Sequence, residues 1–441
     1  MRVNAPASCG QFGCEPRKHR KLNLLPYYDS TTQTRQLVTL QESGLPNLPM
    51  LQGLPYEVRF LIAQCLDFPT MAKMAVLSKA TLKIVRPILQ GLVNAYGVST
   101  YQGAQAFSSA LTTSSYGATQ SLMAFDQVDF SRLRALVGTP PGLTVAYGSV
   151  GKGDSRGMTT KEVVPVGGKM HNKFAVFRMP TGNYVTFTGS PNISKGAMTG
   201  LNVESALVID GPQVGYLFKQ YHGLLMGNPT QEALRAFGQG VNALNASGGP
   251  VRIAFAPFQN VADFVAAEIA GADSVLVRMF LISPKYKIAK AGDGSDPSQY
   301  DEPFLNSLIT LSKAGASVCV VLDRNNYDNT QKKTGFVGDA AKYVTAFAPK
   351  AKFYVETGFQ MTKRGPIGIM HDKLILVRKG TRYKVLLGSS GMTTNNYDQS
   401  NYENMIALDG QGAYEHFLQL HNSGWREEAV IPDSFSKKWK L

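Results

Sequence analysis

Cysteine, long apolar runs and negative charge are all scarce in this sequence. Four cysteines in 441 residues, without regular spacing, exclude a disulfide framework and a cysteine-based zinc site, and they favour a reducing compartment such as the cytoplasm. No stretch stays apolar over the roughly 18 residues that a membrane-spanning helix needs. The first residues also lack the apolar segment of a cleavable signal peptide, so we expect a cytoplasmic protein.

Acidic residues are outnumbered by basic ones, 31 against 45, which gives a net charge of +14. Such an excess predicts an anionic partner, either nucleic acid or an acidic membrane surface. The hydrophobic content of 44%, with 43 glycines and 23 prolines, is typical of a globular, loop-rich protein. The chain is too long for one ordinary core and therefore predicts two or three structural units.

Histidine is also rare, yet four of the six histidines occupy paired positions of an internal repeat. The segment His171-Asn172-Lys173 and an apolar run recur as His371-Asp372-Lys373 and another apolar run. Each copy continues through the same series of short motifs. They are Gly189-Ser190 and Gly388-Ser389, then Asn202-Val203-Glu204 and Asn401-Tyr402-Glu403, then Asp210-Gly211 and Asp409-Gly410, and last a helical segment with His222 or His421.

Apolar strand patterns alternate with helical patterns in both copies of the repeat. This order predicts an α/β fold of two similar halves, residues 95–245 and 250–441, each a mixed sheet flanked by helices. Residues 148–157 are rich in glycine and predict an ordinary loop. The second half carries additional sequence, including a predicted helix over residues 339–347 that walls one side of a cleft.

The two His-x-Lys segments bear the side chains needed to cleave a phosphodiester. Residues two apart on a strand face the same side, so His171 projects with Lys173 and His371 with Lys373. If the halves pack by pseudo-twofold symmetry, two imidazoles and two ammonium groups converge. The lysines then neutralise phosphate oxygens while one histidine attacks phosphorus and the other protonates the leaving oxygen. Water finally hydrolyses the phosphohistidine.

Further residues of the repeat are predicted to support this chemistry. Glu204 and Glu403 are the expected acceptors for the second ring N–H of each histidine, which fixes its tautomer. Ser190, Ser389 and Asn192 are expected to donate hydrogen bonds to phosphoryl oxygens. The helical His222 and His421 are interpreted as core residues.

The duplicated His-x-Lys, Gly-Ser and Asn-x-Glu motif resembles that of the phospholipase D superfamily, over residues 95–441. The resemblance implies a covalent phosphohistidine, one active site between the halves and a mechanism without metal or cofactor. It also implies that His171 is the nucleophile and His371 the acid. Two departures stand out: Arg178 and Arg378 replace the aspartate usual five residues after the lysine, and Gly391 stands where the first half has Asn192.

The N-terminal region differs in character from the two halves. Residues 1–45 are polar and basic and predict a disordered arm. The pattern of residues 46–92 predicts a helical module. This module resembles an F-box, whose motif begins here with Leu54-Pro55. That resemblance implies binding to the Skp1 adaptor of a ubiquitin ligase, inside a eukaryotic cell.

Three functions therefore remain open from the sequence. The first is a phosphodiesterase that hydrolyses or transfers a phosphodiester, with phospholipid as substrate and contact with a membrane surface. The second is a nuclease of the same superfamily acting on DNA or RNA, which the basic charge also suits. The third is an F-box adaptor that uses the phosphodiesterase fold as a binding surface.

Overall fold

The structure is a computed structural model, and it describes ten segments of the chain. Its first compact unit, Met1–Leu92, contains the predicted basic arm and the F-box-like module with Leu54 and Pro55, and these lie outside the described residues apart from Leu92. The second unit, Val93–Leu441, holds the two predicted halves. The described segments are residues 92–98, 101–140, 142–284, 302–326, 336–356, 361–362, 365–366, 368–393, 399–422 and 427–429.

A seven-stranded mixed sheet forms the first half. Its strands are β1 (Leu92–Val98), β2 (Gln120–Asp129), β3 (Thr144–Lys152), β4 (Thr159–Glu162), β5 (Lys173–Arg178), β6 (Tyr184–Gly189) and β7 (Glu204–Asp210). Their order across the sheet is β1-β7-β6-β5-β2-β3-β4. Strands β2, β3 and β4 run parallel, whereas β5, β6 and β7 pair antiparallel.

An eight-stranded mixed sheet forms the second half. Its strands are β8 (Val251–Ala256), β9 (Ser274–Met279), β10 (Ser317–Asp323), β11 (Lys352–Glu356), β14 (Lys373–Lys379), β15 (Arg382–Gly388), β16 (Glu403–Asp409) and β17 (Glu427–Ala429). Their order is β17-β11-β10-β9-β14-β15-β16-β8. A separate two-stranded ribbon pairs β12 (Met361–Thr362) with β13 (Gly365–Pro366).

The two sheets have the same topology. When the second is followed from β8, its order β8-β16-β15-β14-β9-β10-β11 matches β1-β7-β6-β5-β2-β3-β4 of the first, and β17 is an addition at the far edge. The change from antiparallel to parallel pairing falls at the equivalent strands β2 and β9. The predicted fold class, α/β with two mixed sheets flanked by helices, is therefore confirmed.

Helices pack against the sheets and bury their apolar sides. The Asp129 and Asn260 side chains accept hydrogen bonds from first-turn N–H groups of the helices that follow them and so cap these helices. A proline opens the helices that begin at Pro212 and Pro303. The described helices are α1 (Tyr101–Ser115), α2 (Phe130–Val137), α3 (Lys195–Met198), α4 (Pro212–Met226), α5 (Gln231–Ala246), α6 (Val261–Ile269), α7 (Pro303–Lys313), α8 (Phe336–Phe347) and α9 (Gln411–Asn422). None of the described helices is long and apolar enough to cross a membrane.

The local structure differs from the sequence prediction at one place. Strand β3 continues through Gly148 to Lys152, where the glycine content predicted a loop. A side chain at Gly148 is impossible without movement, because its Cβ would lie 2.3 Å from the Met170 carbonyl oxygen. Glycine here therefore serves close strand packing rather than a turn. The Ser- and Thr-rich stretch before β2 forms helix α1.

Candidate active site

The two halves exchange equivalent backbone hydrogen bonds beside the His-x-Lys segments. The His171 N–H donates to the Tyr402 carbonyl oxygen at 2.9 Å, and the His371 N–H donates to the Val203 carbonyl oxygen at 2.8 Å. The segment before each histidine thus pairs with the Asn-x-Glu segment of the other half. This reciprocal pairing places both histidines at the interface of the two sheets.

His371 is held by a carboxylate from the opposite half. Its Nδ1–H donates to Glu204 Oε2 at 2.9 Å, which leaves Nε2 for chemistry. The Glu204 carboxylate also accepts from Ser190 Oγ at 2.6 Å and from Asn202 Nδ2 at 3.1 Å. Burial disfavours its charge, but His371 and then Lys373 hold the pKa of Glu204 below its usual value. Glu204 therefore orients the ring as an ionised acceptor.

The arrangement around His171 mirrors this one. Its Nδ1 lies 3.3 Å from Glu403 Oε1 of the second half, a longer and less well aligned contact than that of His371. Asn401 Nδ2 donates to the same Glu403 oxygen at 2.9 Å. Each histidine is thus paired with a glutamate of the other half, so neither half contains a complete histidine–glutamate pair.

The two lysines lie buried and close to both histidines. Each ammonium donates to the carbonyl oxygen of the histidine two residues before it, at 2.7 Å for both Lys173 and Lys373. Burial, followed by repulsion from Lys173, lowers the pKa of Lys373 to about 7. Two such cations side by side form a site for an anion, because a bound anion would relieve their repulsion.

Burial also favours the neutral form of His371. Its pKa falls to about 4 through burial, which outweighs the attraction of Glu204, and Lys373 and Lys173 lower it further. The Phe280 ring meets the imidazole edge-on, with centroids 4.9 Å apart. A neutral imidazole whose Nδ1–H is already donated presents a lone pair on Nε2, as a nucleophile requires.

Asp126 is a site residue that the sequence reasoning missed. One carboxylate oxygen, Oδ2, lies 4.0 Å from His171 Nε2, and the other accepts from the Ser149 N–H at 3.1 Å. Burial opposes ionisation of Asp126, but Lys173 and then His171 hold its pKa below the ordinary value. Residues 148–149, interpreted as part of an ordinary loop, are thus a strand segment that positions this carboxylate.

The residues predicted to bind phosphoryl oxygens are engaged with the protein in this structure. Ser190 donates to Glu204, and Ser389 Oγ accepts from the Asn404 N–H at 3.0 Å. Asn192 Oδ1 accepts from the Gln127 N–H at 3.2 Å. Their contact with a phosphate therefore stays a prediction.

A second layer of polar residues joins the halves beneath the histidines. Asn404 Nδ2 donates to Asn172 Oδ1 at 2.9 Å, and at the equivalent place Ser205 Oγ donates to Asp372 Oδ1 at 2.6 Å. Asp372 is further paired with Arg278, whose Nε lies 3.1 Å away. This layer fixes the strands that carry the candidate catalytic side chains.

The other paired histidines are hydrogen-bonded to different groups of the protein. His222 Nε2 lies 3.1 Å from the Met123 carbonyl oxygen, and Arg278 donates to His421 Nδ1 at 3.0 Å. Both imidazoles are buried, as expected of core residues. In the described part of the chain, no group of three or more His, Cys, Asp or Glu side chains is arranged to hold a metal ion.

One family model matches part of the chain. Residues 287–425 match the family model described as "Cardiolipin synthase, PLD-like domain". No curated protein matches the chain.

Several solved structures are similar in fold, all at low identity. Polyphosphate kinase from Porphyromonas gingivalis is 12% identical over 79% of this chain and 49% of its own, so this chain spans about half of it, with a TM-score of 0.48. Yeast tyrosyl-DNA phosphodiesterase is 13% identical over 66% of this chain and 83% of its own, with a TM-score of 0.43. Phosphatidylserine synthase from Haemophilus influenzae Rd KW20 is 9% identical over 77% of this chain and 88% of its own, with a TM-score of 0.48.

The resemblance to the phospholipase D superfamily, drawn from the duplicated motif, is confirmed. Members of this superfamily typically cleave or transfer phosphodiesters. The matched region contains His371, Lys373 and Glu403, which is the second copy of the motif.

Proposed function

We propose that this protein is a phosphodiesterase of the phospholipase D type, working through a covalent phosphohistidine. The observation that carries the proposal is the crossed pairing of His171 with Glu403 and His371 with Glu204 around two buried lysines. Two imidazoles whose Nδ1 atoms face carboxylates leave two Nε2 atoms for in-line attack and proton transfer. Lys173 and Lys373 neutralise the phosphate oxygens as charge develops.

We further propose phospholipid as the substrate. Val164 and Val166, on the segment that leads from β4 to His171, are 77% and 98% exposed, and Val150 at the end of β3 is 40% exposed. All three lie at the end of the first sheet that bears His171, together with the exposed Lys152 and Lys169. Apolar tips among cations fit an anionic lipid surface, and the matching family model is described as a cardiolipin synthase.

The positive net charge also suits a polyanionic nucleic acid, so a nuclease is the alternative that the experiment has to separate. The purified protein is assayed in EDTA on anionic phospholipid vesicles and on single- and double-stranded DNA and RNA. Release or transfer of a lipid headgroup supports the proposal. Cleavage of nucleic acid alone identifies a nuclease, and cleavage of neither contradicts the phosphodiesterase assignment.

Histidine variants connect the measured activity to this site. His171→Ala and His371→Ala are each expected to lower turnover of a natural diester by at least about 1,000-fold, since each removes a nucleophile or an acid. His416→Ala, at an exposed position of α9, is the matched control and is expected to retain full activity. A His171→Ala or His371→Ala protein that folds and keeps substantial activity removes that histidine from the mechanism.

A further inference from the structure

The two halves differ at one equivalent position beside the catalytic histidines. The Asp126 N–H donates to the Asn172 carbonyl oxygen at 2.9 Å, and the Phe280 N–H donates to the Asp372 carbonyl oxygen at 2.8 Å. These matching bonds show that Asp126, within β2, and Phe280, directly after β9, occupy equivalent places. One half therefore offers a carboxylate where the other offers an aromatic ring.

His171 lies between two carboxylates as a result. Glu403 is 3.3 Å from its Nδ1 and Asp126 is 4.0 Å from its Nε2. Burial and then Lys173 hold the pKa of His171 below its ordinary value, and Glu403 opposes this shift. Carboxylates on both sides of an imidazole stabilise the protonated ring relative to a ring with one. The Asp126 oxygen also lies on the side of Nε2, the atom that faces the reaction.

His371 has a different environment. Glu204 holds its Nδ1, and the Phe280 ring covers its side at a centroid distance of 4.9 Å. The same ring lies 5.0 Å from the Lys373 ammonium. An aromatic wall excludes water without adding negative charge, and this favours the neutral imidazole over the imidazolium.

We propose that Asp126 and Phe280 give the two histidines different roles, with His371 as the nucleophile and His171 as the acid and base. This assignment rests on the proposed phosphodiesterase function and is opposite to the order that the family resemblance implies. Asp126 acts through His171 and is thus a positioning residue.

The proposed mechanism has two steps. His371 Nε2 forms a bond to phosphorus as the bond from phosphorus to the leaving oxygen breaks, and the His171 Nε2 proton passes to that oxygen. Water then gives a proton to His171 Nε2 while its oxygen bonds to phosphorus, and the bond from phosphorus to His371 breaks. An alcohol in place of water gives transfer instead of hydrolysis.

The reverse assignment fits the geometry poorly. A nucleophilic His171 would have to approach an anionic phosphodiester with the Asp126 carboxylate beside the attacking atom, and the two negative charges would repel. An acidic His371 would have to be protonated against an aromatic wall with one carboxylate to support it. With His371 as the nucleophile and His171 as the acid, neither penalty arises.

The test uses a diester whose leaving group needs no proton. In a p-nitrophenyl phosphodiester, nitrophenolate leaves unprotonated, so loss of the acid spares the first step but loss of the nucleophile abolishes it. We expect His171→Ala to release about one equivalent of nitrophenolate in a burst and to accumulate phosphate on His371, detectable by mass spectrometry. We expect His371→Ala to give no burst.

The outcomes separate this inference from the function on which it rests. A burst in His371→Ala and none in His171→Ala overturns the assignment, as does equal behaviour of the two variants. If the wild-type protein cleaves neither this diester nor a phospholipid, the phosphodiesterase function itself fails, and the inference fails with it.

Asp126→Asn tests the positioning role separately. It removes one negative charge beside His171, so the pKa of the acid falls and the basic limb of the pH profile for kcat/KM moves to lower pH. Turnover of an alkyl diester is expected to fall by about 100-fold, and the burst rate of nitrophenolate release by less than about 3-fold. Glu162→Gln, at an exposed position at the end of β4, is the control. Equal loss on both diesters with an unmoved limb overturns the role of Asp126.

Discussion

Lys373 is the residue whose ionisation has the most direct consequence for binding. Its pKa of about 7, lowered first by burial and then by Lys173, means that the free protein holds this side chain largely neutral at pH 8. A bound anion favours the ammonium form, so binding at pH 8 is expected to take up a proton, up to about one per site, and binding at pH 6 is expected to take up none.

Dimethyl phosphate is a suitable probe, since it carries one negative charge throughout this pH range. Calorimetry in two buffers of different ionisation enthalpy gives the number of protons taken up. Lys373→Met is expected to lose the uptake, whereas Lys350→Met, at an exposed turn before β11, retains it. Binding at pH 8 without proton uptake contradicts the lowered pKa.

Glu204 orients His371 across the interface of the halves. Glu204→Gln keeps an oxygen acceptor and the shape of the side chain but removes the charge that stabilises the histidine. We expect kcat/KM to fall by about 100-fold, less than in His371→Ala, because orientation is weakened while the reacting group remains. Steady-state kinetics on the same substrate measure both variants. A loss as large as that of His371→Ala means that Glu204 takes part in more than orientation.

The candidate catalytic side chains could be chosen from the sequence, and the pairing between them could not. His171, His371 and the two glutamates are found by aligning the repeat with itself, because each has a counterpart in the other copy. Nothing in the sequence shows that Glu403 serves His171 rather than His371. Asp126 escapes the comparison entirely, because its counterpart is Phe280 and a self-alignment reveals only what the copies share.

At the scale of elements, the segments before the histidines hold the site together by close backbone contact. A Cβ at Gly168 would lie 1.9 Å from the Ser400 carbonyl oxygen, where the two halves pair beside His171. Gly168→Ala is therefore expected to lower both the melting temperature and kcat/KM, with a stability loss of about 2 kcal/mol from the forced backbone shift.

Gly238→Ala provides the contrast for that substitution. Gly238 lies within α5, and apart from the neighbouring backbone of that helix no atom comes within 4 Å of a Cβ built there. Alanine at this helical position is expected to stabilise the fold by about 0.5 kcal/mol. Thermal unfolding of both variants checks the pair. If Gly168→Ala unfolds at the wild-type temperature with full activity, the halves do not depend on this contact.

Elements were easier to predict from sequence where hydrophobic pattern alone decides them. Strand β5, for example, coincides with the apolar run that follows His171-Asn172-Lys173. Strand β3 was predicted to end before Gly148, because glycine is more common in turns. Tertiary contact overrode that preference, since β2 shifts register between Phe125 and Gln127 and β3 continues beside it.

At the scale of the whole molecule, the duplicated halves are joined by contacts that are equivalent in place but different in chemistry. Asn172 meets Asn404 on one side, whereas Asp372 meets Ser205 and the buried Arg278 on the other. Together with Asp126 and Phe280, these differences make the two sides of one pseudosymmetric site unequal. In the proposed mechanism, such inequality favours one histidine as the nucleophile and the other as the acid.

The exposed valines beside the site bear on how the protein contacts its substrate. If Val164 and Val166 enter a lipid surface, Val164→Asp and Val166→Asp remove apolar burial worth about 1.5 kcal/mol each and add repulsion from anionic headgroups. Each is expected to lower turnover on anionic vesicles by at least about tenfold, while turnover of a short-chain lipid dispersed as monomers stays unchanged.

Tyr116→Asp is the matched control for this experiment. Tyr116 is 85% exposed but precedes β2 at the opposite end of the sheet from His171, so its charge is expected to leave vesicle turnover unaltered. Vesicle sedimentation measures binding beside turnover. Equal activity of the valine variants on vesicles and monomers would show that this end of the sheet does not contact the membrane. The nucleic-acid substrate would then be favoured, because the net charge of +14 would remain without another partner.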